Sequence, residues 1–300
     1  MNLTLTVKIG LTDYNLIIAV LEDVMSYADQ VFATMCRDII QQGISSEGTH
    51  VRPVWDDGAM AHTIKKFAVV NRYDLSQEFP IMTLRPTPFK KSIDEILWIW
   101  QKKSNNIKDL NSKIWDAWAD ESGSIGKAYG YQLGVKHQYS EGLFDQVDRV
   151  LFDLKTNPSS RRIMTNLYVH EDLHAMNLYP CAYSMTFNVT GNKLNAILNQ
   201  RSNDVLVANN WNVVQYAVLV HMFAMVSNLE VGELVHVIAD AHIYDRHVPI
   251  VEELIEREAY PAPIFRIKRQ VTDFYDFTID DFELIDYQKN TQIKHIPVAI

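Results

Sequence analysis

The stretch 183-YSMTFNVTGNKLNAILNQ-200 decides how this chain folds, because it has the pattern of two short strands around a turn. β-Branched and aromatic residues recur in both halves, and the Thr-Gly-Asn step between them is a turn signal. The same pattern of β-branched and aromatic residues occurs just before this stretch, in 161-RRIMTNLYV-169. We therefore predict neighbouring antiparallel strands across residues 161–200.

Other segments carry helical or strand patterns. We predict a helix across 12–43, which Gly43 is suited to end, and a second helix opening at Ser92, where Ser92 and Glu95 make a capping-box pair. The apolar stripe of the first helix is Leu16, Ile17, Val20, Leu21, Val24 and Met25. A buried helix over 213–226, a strand over 233–244, a helix over 249–258 and a strand over 265–269 complete the set. Because helices and strands are partly segregated, the fold class is α+β: a large, mainly antiparallel or mixed sheet packed against several helices.

The composition limits the class of protein. The 300 residues are 47% hydrophobic and 22% charged, which is typical of a globular protein with a large core. No Pro/Gly/Ser-rich linker or repeat divides the chain, so we expect a single domain across 1–300. The net charge of −9 argues against nucleic-acid binding, and no apolar run is long enough to cross a membrane. Two cysteines and the lack of a secretory signal indicate a reduced, cytoplasmic setting.

The most conspicuous short motif is 170-HEDLH-174, which matches two zinc-binding histidines one helical turn apart with a glutamate base. That chemistry needs a continuous helix and a third ligand. The preceding residues are strand-like, Pro180 follows closely, and no histidine follows at the metzincin spacing. We therefore interpret the motif as a solvated loop or turn, and we expect no metal.

Cys181, in 178-LYPCAYSMTF-187, has two interpretations. A lone cysteine is usually buried and inert. Cationic neighbours would make it a nucleophile by stabilising the thiolate, and Arg161, Arg162 and Arg201 each lie near a predicted strand end. Adjacent arginines are also common as solvated surface pairs. Together, these residues favour an oxyanion site beside a thiol.

These segments resemble the thymidylate synthase family along nearly the whole chain. The fragments that carry the resemblance occur in the family's order: EILWIW, IWDAWADE, AYGYQLG, NPSSRR, LYPCAYSMTF, QRSND, HIYDRH, DFYDFTIDDF and the terminal PVAI. The bacillus and bacillus-phage branch is the most similar. The resemblance implies a homodimer with the large sheet at its interface. It also implies conversion of dUMP to dTMP, with 5,10-methylenetetrahydrofolate as one-carbon donor and reductant.

The resemblance further implies roles for individual residues. Cys181 would add to C6 of the uracil ring, and Arg201 would hold the phosphate and lower the pKa of the thiol. Glu95 and Tyr129 would serve proton transfer, and Asp204 would also belong to the catalytic set. The remaining substrate contacts would come from Arg52, Gln200, Ser202, Asn212, His242 and Tyr244, with Arg161 and Arg162 reaching across from the second subunit. Asn212 suits uracil because its amide both donates and accepts hydrogen bonds.

The implied folate site consists of Trp115, Trp118, Leu178, Asp204, Ala208, Trp211 and Ile300. The PVAI tail would close over it and exclude water. Taken without the resemblance, these residues have simpler interpretations. The tryptophans would be core residues, Asn212 a helix cap, Glu95 a capping carboxylate and Arg52 a surface residue.

Three departures from the family pattern lie near the implied site. Ala182 follows the cysteine in place of a histidine, 207-VANNWN-212 lacks a glycine and a Pro-Phe step, and Pro86 replaces a lysine expected to meet the folate's glutamate tail. Changes around the site leave an alternative reaction open: hydroxymethylation of dUMP or dCMP, in which water quenches the same intermediate. Asn212 favours uracil over cytosine, and the retained PVAI tail favours the synthase reaction.

Overall fold

The structure, a computed structural model, describes residues 3–9, 12–18 and 25–299. The strands are β1 Leu3–Ile9, β2 Thr12–Ile18, β3 Ile44–Ser45, β4 Thr63–Asp74, β5 His137–Tyr139, β6 Gly142–Phe144, β7 Met164–Asn166, β8 Ala182–Thr190, β9 Lys193–Gln200, β10 Asn203–Asp204, β11 Glu230–Tyr244, β12 Ile264–Ile267 and β13 Phe282–Ile285. The α-helices are α1 Tyr27–Gln42, α2 Phe89–Trp100, α3 Gly130–Gly134, α4 Gln146–Thr156, α5 Asn209–Val226 and α6 Val248–Ile255. None of the helices in these ranges is long and apolar enough to span a membrane.

A mixed sheet forms the centre of the fold, with the strand order β3-β4-β11-β9-β8-β7 and β10 paired to β11. β8 and β9 form the predicted hairpin, in which Val189 lies opposite Leu194. Gly191 in its turn has φ +63°, a left-handed conformation that glycine adopts without strain. β9 runs parallel to β11, whereas β4 runs antiparallel to it. The predicted α+β class with a large mixed sheet is confirmed.

The main core lies between this sheet and α5, which contains the buried helix predicted over 213–226. The ring of Phe223 on α5 packs edge-on against Phe187 of β8 and Trp100 of α2, with centroids 5.1 and 6.0 Å away. It also stacks on Phe274 at 4.7 Å. Large aromatic side chains dominate core energetics, so these contacts fix α2 and α5 against the sheet.

The opposite face of the sheet carries apolar side chains away from the helices. Val70 pairs with Val237, and Ile197 pairs with Val235. Their strand neighbours alternate into the core, as Leu198 does, so these four point the other way. Val70 is 53% exposed and Ile197 is 39% exposed. A face of this kind suits a partner surface.

Two predictions about helix starts are wrong. The helix predicted over 12–43 begins only at Tyr27, where the Ser26 hydroxyl accepts the N–H of Asp29. Residues 12–18 instead form β2, which pairs along its whole length with β1 because both segments fit the two-residue strand period. Gly43 ends the helix as predicted, and its N–H donates to the Ile39 carbonyl.

The prediction of a capping box formed by Ser92 and Glu95 is also wrong. α2 begins three residues before Ser92, at Phe89, so both residues lie inside the helix. The Ser92 hydroxyl donates to the Pro88 carbonyl at 3.2 Å. The Glu95 carboxyl is therefore free to make contacts outside its own helix.

Strand pairing brings distant parts of the chain to one edge of the sheet. β8 begins where antiparallel β9 ends, with Ala182 opposite Gln200, and parallel β11 places Ile238 beside the same glutamine. Cys181 directly precedes β8, and the register shifts just after Ala182. Such an irregularity bends a strand and re-aims its side chains. The candidate nucleophile therefore lies at a junction of three strands.

Candidate active site

A cavity of about 390 Å³ opens at this junction. Three cationic side chains in its wall belong to Arg52, Lys65 and Arg201. The wall also contains Cys181 and several residues predicted from the sequence, namely Leu178, Ser202, His242 and Tyr244. Cations grouped around a thiol suit an anionic ligand, because arginine binds phosphate or carboxylate groups with two parallel hydrogen bonds.

Arg201 is fixed directly beside Cys181. Its Nη2 lies 3.7 Å from Sγ, while Nε donates to the Pro180 carbonyl at 3.0 Å and Nη2 to the Tyr179 carbonyl at 2.8 Å. Burial raises the pKa of the Cys181 thiol, and the Arg201 charge and the Tyr129 hydroxyl oppose this. Arg201 thus lowers the pKa of the thiol, as predicted, although burial has the larger effect and the pKa as a whole is raised.

Tyr129 holds the cysteine from the opposite side. Its hydroxyl accepts a hydrogen bond from the Cys181 N–H at 3.0 Å, and its ring packs on Trp115 with centroids 5.0 Å apart. The residue has φ +46°, a strained value for a side chain other than glycine. Gly130 follows because a Cβ there would lie 2.3 Å from the Ser104 carbonyl oxygen. Tight packing therefore determines where the Tyr129 hydroxyl lies.

Glu95 is a buried carboxyl held by two indoles. Trp115 Nε1 donates to Oε1 at 3.1 Å and Trp211 Nε1 donates to Oε2 at 2.7 Å. Burial raises its pKa to about 7, although the hydrogen bonds from Trp115, Trp211 and Gln215 act in the opposite direction. A carboxyl with a pKa near neutrality can both give and take a proton at physiological pH.

A chain of side-chain amides connects a buried histidine to this region. His236 Nε2 donates to Gln200 Oε1 at 2.7 Å, Gln200 Nε2 donates to Asn212 Oδ1 at 3.1 Å, and Asn212 Nδ2 donates to Gln215 Oε1 at 3.2 Å. Burial lowers the pKa of His236 to about 3, so the imidazole is neutral.

Asn212 lies in the first turn of α5, whose N-cap is Ala208, so Asn212 is not the helix cap. Sequence reasoning missed His236 and Gln215.

His242 and Tyr244 occupy the end of β11 with their rings 5.2 Å apart. Asp240 Oδ1 lies 2.9 Å from His242 Nδ1, and Asp240 Oδ2 accepts from Lys65 Nζ at 3.0 Å. A carboxylate at Nδ1 leaves Nε2 as the nitrogen available to a ligand. Sequence reasoning missed Asp240 and Lys65. The two-residue spacing of Asp240 and His242 on a predicted strand was the available signal, because it places both on one face.

Several residues predicted to form a folate site, Asp204 and Trp115 among them, have defined contacts. Asp204 Oδ1 accepts the Val207 N–H at 3.1 Å and lies 3.6 Å from Nδ1 of the buried His247. Burial lowers the pKa of His247, and Asp204 together with the Pro297 carbonyl more than offsets this, so the pKa is raised. Trp115 packs on Trp118 with centroids 5.8 Å apart. Ile300 lies outside the described residues.

The departure at Ala208 is compatible with the local backbone. Ala208 has φ −102°, a conformation that any residue adopts, so the missing family glycine is not required for the backbone angle. Asn210 is buried inside the first turn of α5 and its amide points to Met82 Sδ at 3.4 Å. The altered loop therefore begins an ordinary helix.

Two predicted features lie away from the cavity. Arg161 and Arg162 are exposed just before β7 and do not line it. The HEDLH motif forms a short 3₁₀ helix, His170–Ala175, in which Asp172 pairs with Lys127 at 2.6 Å. Among the residues that the structure describes, no group of three histidine, cysteine or carboxylate side chains could hold a metal ion.

A thiol fixed by an arginine at the mouth of a cationic cavity, with a proton-exchanging carboxyl nearby, is typical of enzymes that attack an anionic substrate covalently. The sequence model of the thymidylate synthase family matches residues 30–300. The thymidylate synthase of Bacillus subtilis subsp. natto is 45% identical over 274 residues, which cover 90% of this chain and 98% of that protein. The thymidylate synthase of Bacillus phage phi3T is 44% identical over the same shares of the two chains.

A solved structure agrees with these sequence comparisons. Thermostable thymidylate synthase A from Bacillus subtilis superposes with a TM-score of 0.87 at 44% identity, over 91% of this chain and 99% of that one. The chain belongs to the thymidylate synthase family. The expected resemblance is confirmed, and the hydroxymethylase alternative is not favoured.

The raised pKa of Glu95 predicts a pH-dependent stability. The folded protein holds this proton more tightly than the unfolded chain, so the stabilisation is complete below the usual glutamate pKa near 4.5 and is lost as pH rises through about 7. Relative to Glu95→Gln, the free energy of unfolding of the wild type should fall by up to about 3 kcal/mol between pH 5 and pH 8. Urea denaturation of both proteins at several pH values measures this, and parallel curves would contradict it.

Proposed function

We propose that this protein catalyses the reductive methylation of dUMP to dTMP with 5,10-methylenetetrahydrofolate as co-substrate. The observation that carries the proposal is the position of Arg201 Nη2, 3.7 Å from the Cys181 thiol in the wall of a cationic cavity. This arrangement offers a nucleophile and an anion site within one small space. Family membership supplies the reaction to which such a site belongs.

The covalent step begins at Cys181. Its thiolate adds to C6 of the uracil ring, and the electrons of the C5–C6 double bond move toward O4, which makes C5 nucleophilic. Burial raises the pKa of this thiol, and the neighbouring Arg201 charge opposes that shift by favouring the thiolate that the reaction needs. Tyr129 holds the Cys181 backbone in place through its hydroxyl.

The phosphate of dUMP would bind to the cations of the cavity wall. Arg52 and Arg201 offer planar guanidinium groups, and Ser202 adds a hydroxyl beside them. His242 would meet the ribose hydroxyl through Nε2, since Asp240 occupies Nδ1, and Tyr244 lies next to it. We propose that Arg161 and Arg162 complete the phosphate site of the other subunit.

The uracil base would be read by Asn212. Its Oδ1 already accepts from Gln200 and its Nδ2 already donates to Gln215, so the amide is fixed in one orientation. The second lone pair of Oδ1 remains for N3–H of uracil, and the second Nδ2 hydrogen remains for O4. Cytosine presents the opposite pattern at both positions, so the same orientation disfavours dCMP.

Glu95 would handle protons during the reaction. Its pKa near 7 lets it donate toward O4 of the base and later accept a proton through ordered water. Burial raises the pKa of Tyr129 well above its usual value, so that hydroxyl stays neutral. We propose that Tyr129 assists loss of the C5 proton by orienting its acceptor.

The residues predicted for the folate site offer groups that suit this co-substrate. Trp211 and Trp118 are half-buried and offer flat apolar surfaces, and Leu178 lines the cavity next to the thiol. The second carboxylate oxygen of Asp204 can accept an N–H of a pterin ring, because Val207 fixes the first. When bound, the folate supplies the one-carbon unit and the hydride. Ala208 and Ile300 are proposed as further contacts.

We propose that the protein works as a homodimer formed through the open face of the sheet. The paired Val70, Val237, Ile197 and Val235 side chains provide an apolar centre for that surface. The salt bridges of Arg72 with Glu233 and of Lys65 with Asp240 join β4 to β11. A cytoplasmic location and a single catalytic domain are also proposed, and the free thiols of Cys36 and Cys181 are compatible with a reducing compartment.

The reaction can be tested by incubating the protein with dUMP and methylenetetrahydrofolate and measuring the molecular mass of the product by mass spectrometry. We expect dTMP with one dihydrofolate per product. Cys181→Ala should abolish turnover, whereas Cys36→Ala should keep it, since Cys36 is buried in a different part of the core. Hydroxymethyl-dUMP with tetrahydrofolate would overturn the proposal, and so would an active Cys181→Ala.

The orientation of Asn212 predicts a change in base selection. In Gln200→Glu the donor to Asn212 Oδ1 becomes an acceptor, which favours the flipped amide. We expect kcat/KM for dUMP to fall by about tenfold or more and its ratio to that for dCMP to shrink. Gln138→Glu, the same change on exposed β5, is the matched control. An unchanged ratio in Gln200→Glu would show that the chain of amides does not select the base.

Shared arginines predict complementation between two inactive variants. One is Cys181→Ala, and the other combines Arg161→Ala with Arg162→Ala. A heterodimer purified through two different tags has one site with an intact cysteine and the partner's intact arginines. It should recover about half of the wild-type activity per dimer. If the arginines serve their own subunit, mixing will recover no activity.

A further inference from the structure

His247 is a fully buried histidine that none of the proposed steps uses. It lies at the start of α6 with 0% exposure, packed between two aromatic rings. The centroid of Tyr244 is 5.5 Å away and that of Trp55 is 5.7 Å away. Buried polar side chains normally have partners, so the contacts of its two ring nitrogens show what it does.

One nitrogen holds the C-terminal segment. His247 Nε2 lies 2.7 Å from the Pro297 carbonyl oxygen, so it must donate to it. Earlier parts of the tail are fixed by other contacts, such as Arg257 Nη1 with the Thr291 carbonyl at 2.8 Å. Among the described residues, the bond from His247 is the one side-chain hydrogen bond to the chain beyond Ile293. Val298, which follows, is 50% exposed.

The other nitrogen faces Asp204. His247 Nδ1 is buried without a hydrogen-bond partner in the described part of the chain, and Asp204 Oδ1 lies 3.6 Å from it. A movement of less than about 1 Å would complete a hydrogen bond. Because Nε2 donates to Pro297, Nδ1 can donate to Asp204 only in the protonated imidazolium, and the Asp204 carboxylate favours that form by raising the pKa of His247. The imidazole therefore connects the tail to the carboxylate proposed for the folate.

The ring also packs on the segment that carries Arg52. Trp55 is 2% exposed, and its Nε1 donates to Asp245 Oδ1 at 3.1 Å. The Arg246 guanidinium lies over the same indole, 5.0 Å from its centroid, and bonds to Asp57 at 2.8 Å. His247 thus contacts the phosphate-side segment, the ribose-side Tyr244, Asp204 and the tail.

We propose that His247 is a positioning residue that holds the C-terminal segment through Pro297 and links that segment to Asp204. The inference rests on the proposed function for its kinetic consequences only. The tail contact itself can be tested without any substrate. The expected consequence for catalysis is a better-ordered folate site, with little effect on dUMP binding.

Two variants separate the hydrogen bond from the packing. His247→Phe keeps a ring between Trp55 and Tyr244 but removes both nitrogens, whereas His247→Gln keeps an N–H donor that reaches the position of Nε2. Hydrogen–deuterium exchange of the peptide covering residues 294–300, in the protein without ligand, should be about three- to tenfold faster in the Phe variant than in the wild type. The Gln variant should exchange within about twofold of the wild type.

Kinetics of the same proteins provide the second measurement. In His247→Phe we expect KM for methylenetetrahydrofolate to rise about tenfold and kcat to fall, with KM for dUMP within about twofold, and substantial rescue in His247→Gln. Melting temperatures show that each variant is folded. The proposal would be overturned if the 294–300 peptide of the Phe variant exchanged at the wild-type rate. It would also be overturned if the Phe and Gln variants lost the same amount of activity. Loss of all activity with unchanged tail exchange would also overturn it without touching the proposed reaction.

Discussion

The pairing of β9 between antiparallel β8 and parallel β11 is the constraint on which the site depends. It places the residue before β8, the residue after β9 and the end of β11 at one edge of the sheet, so Cys181, Arg201 and His242 meet there although they are far apart in the sequence. Side chains alternate along a strand, and a slip of one residue would turn every one of them to the opposite face. Gln200 would then no longer reach Asn212. The apolar inner face of β9, formed by Leu194, Ala196 and Leu198, excludes that slip because it must stay in the core.

Burial sets the chemistry of the groups at this edge. The packing that stabilises the core raises the pKa of Glu95 and of Cys181, and it lowers the pKa of His236. Positive charge in the cavity wall therefore comes from Arg52, Arg201 and Lys65, the last of which is paired with Asp240. A dianionic ligand entering this space meets fixed cations and neutral proton carriers. Electrostatic interactions of this kind are strong because little water competes for them.

The sequence predicted some elements well and others poorly, for identifiable reasons. The hairpin around Gly191, the helix over 213–226 and the strand over 233–244 have strong local patterns, and the structure has all three. The start of α1 was wrong because the apolar residues between 12 and 18 also fit a strand, and only pairing with β1 distinguishes the two. The capping box was wrong because α2 begins three residues before Ser92, and the Glu95 carboxyl instead binds Trp115 and Trp211, which approach from other parts of the chain. Such long-range competition for a side chain leaves no local signal.

The sequence by itself determined the strand period, the turn, the helical stripes and the identity of the reactive groups, because these depend on neighbours within a few residues. Its likeness to a known family also indicated which cysteine, arginines and asparagine to examine. Only the tertiary structure decided their states: that the pKa of Glu95 lies near neutrality, that the Asn212 amide has one orientation and that the His247 ring lies between the Pro297 carbonyl and Asp204. The physical reason is distance along the chain. Trp211 is 116 residues from Glu95, and Pro297 is 50 residues from His247, so burial and hydrogen bonding arise only after folding.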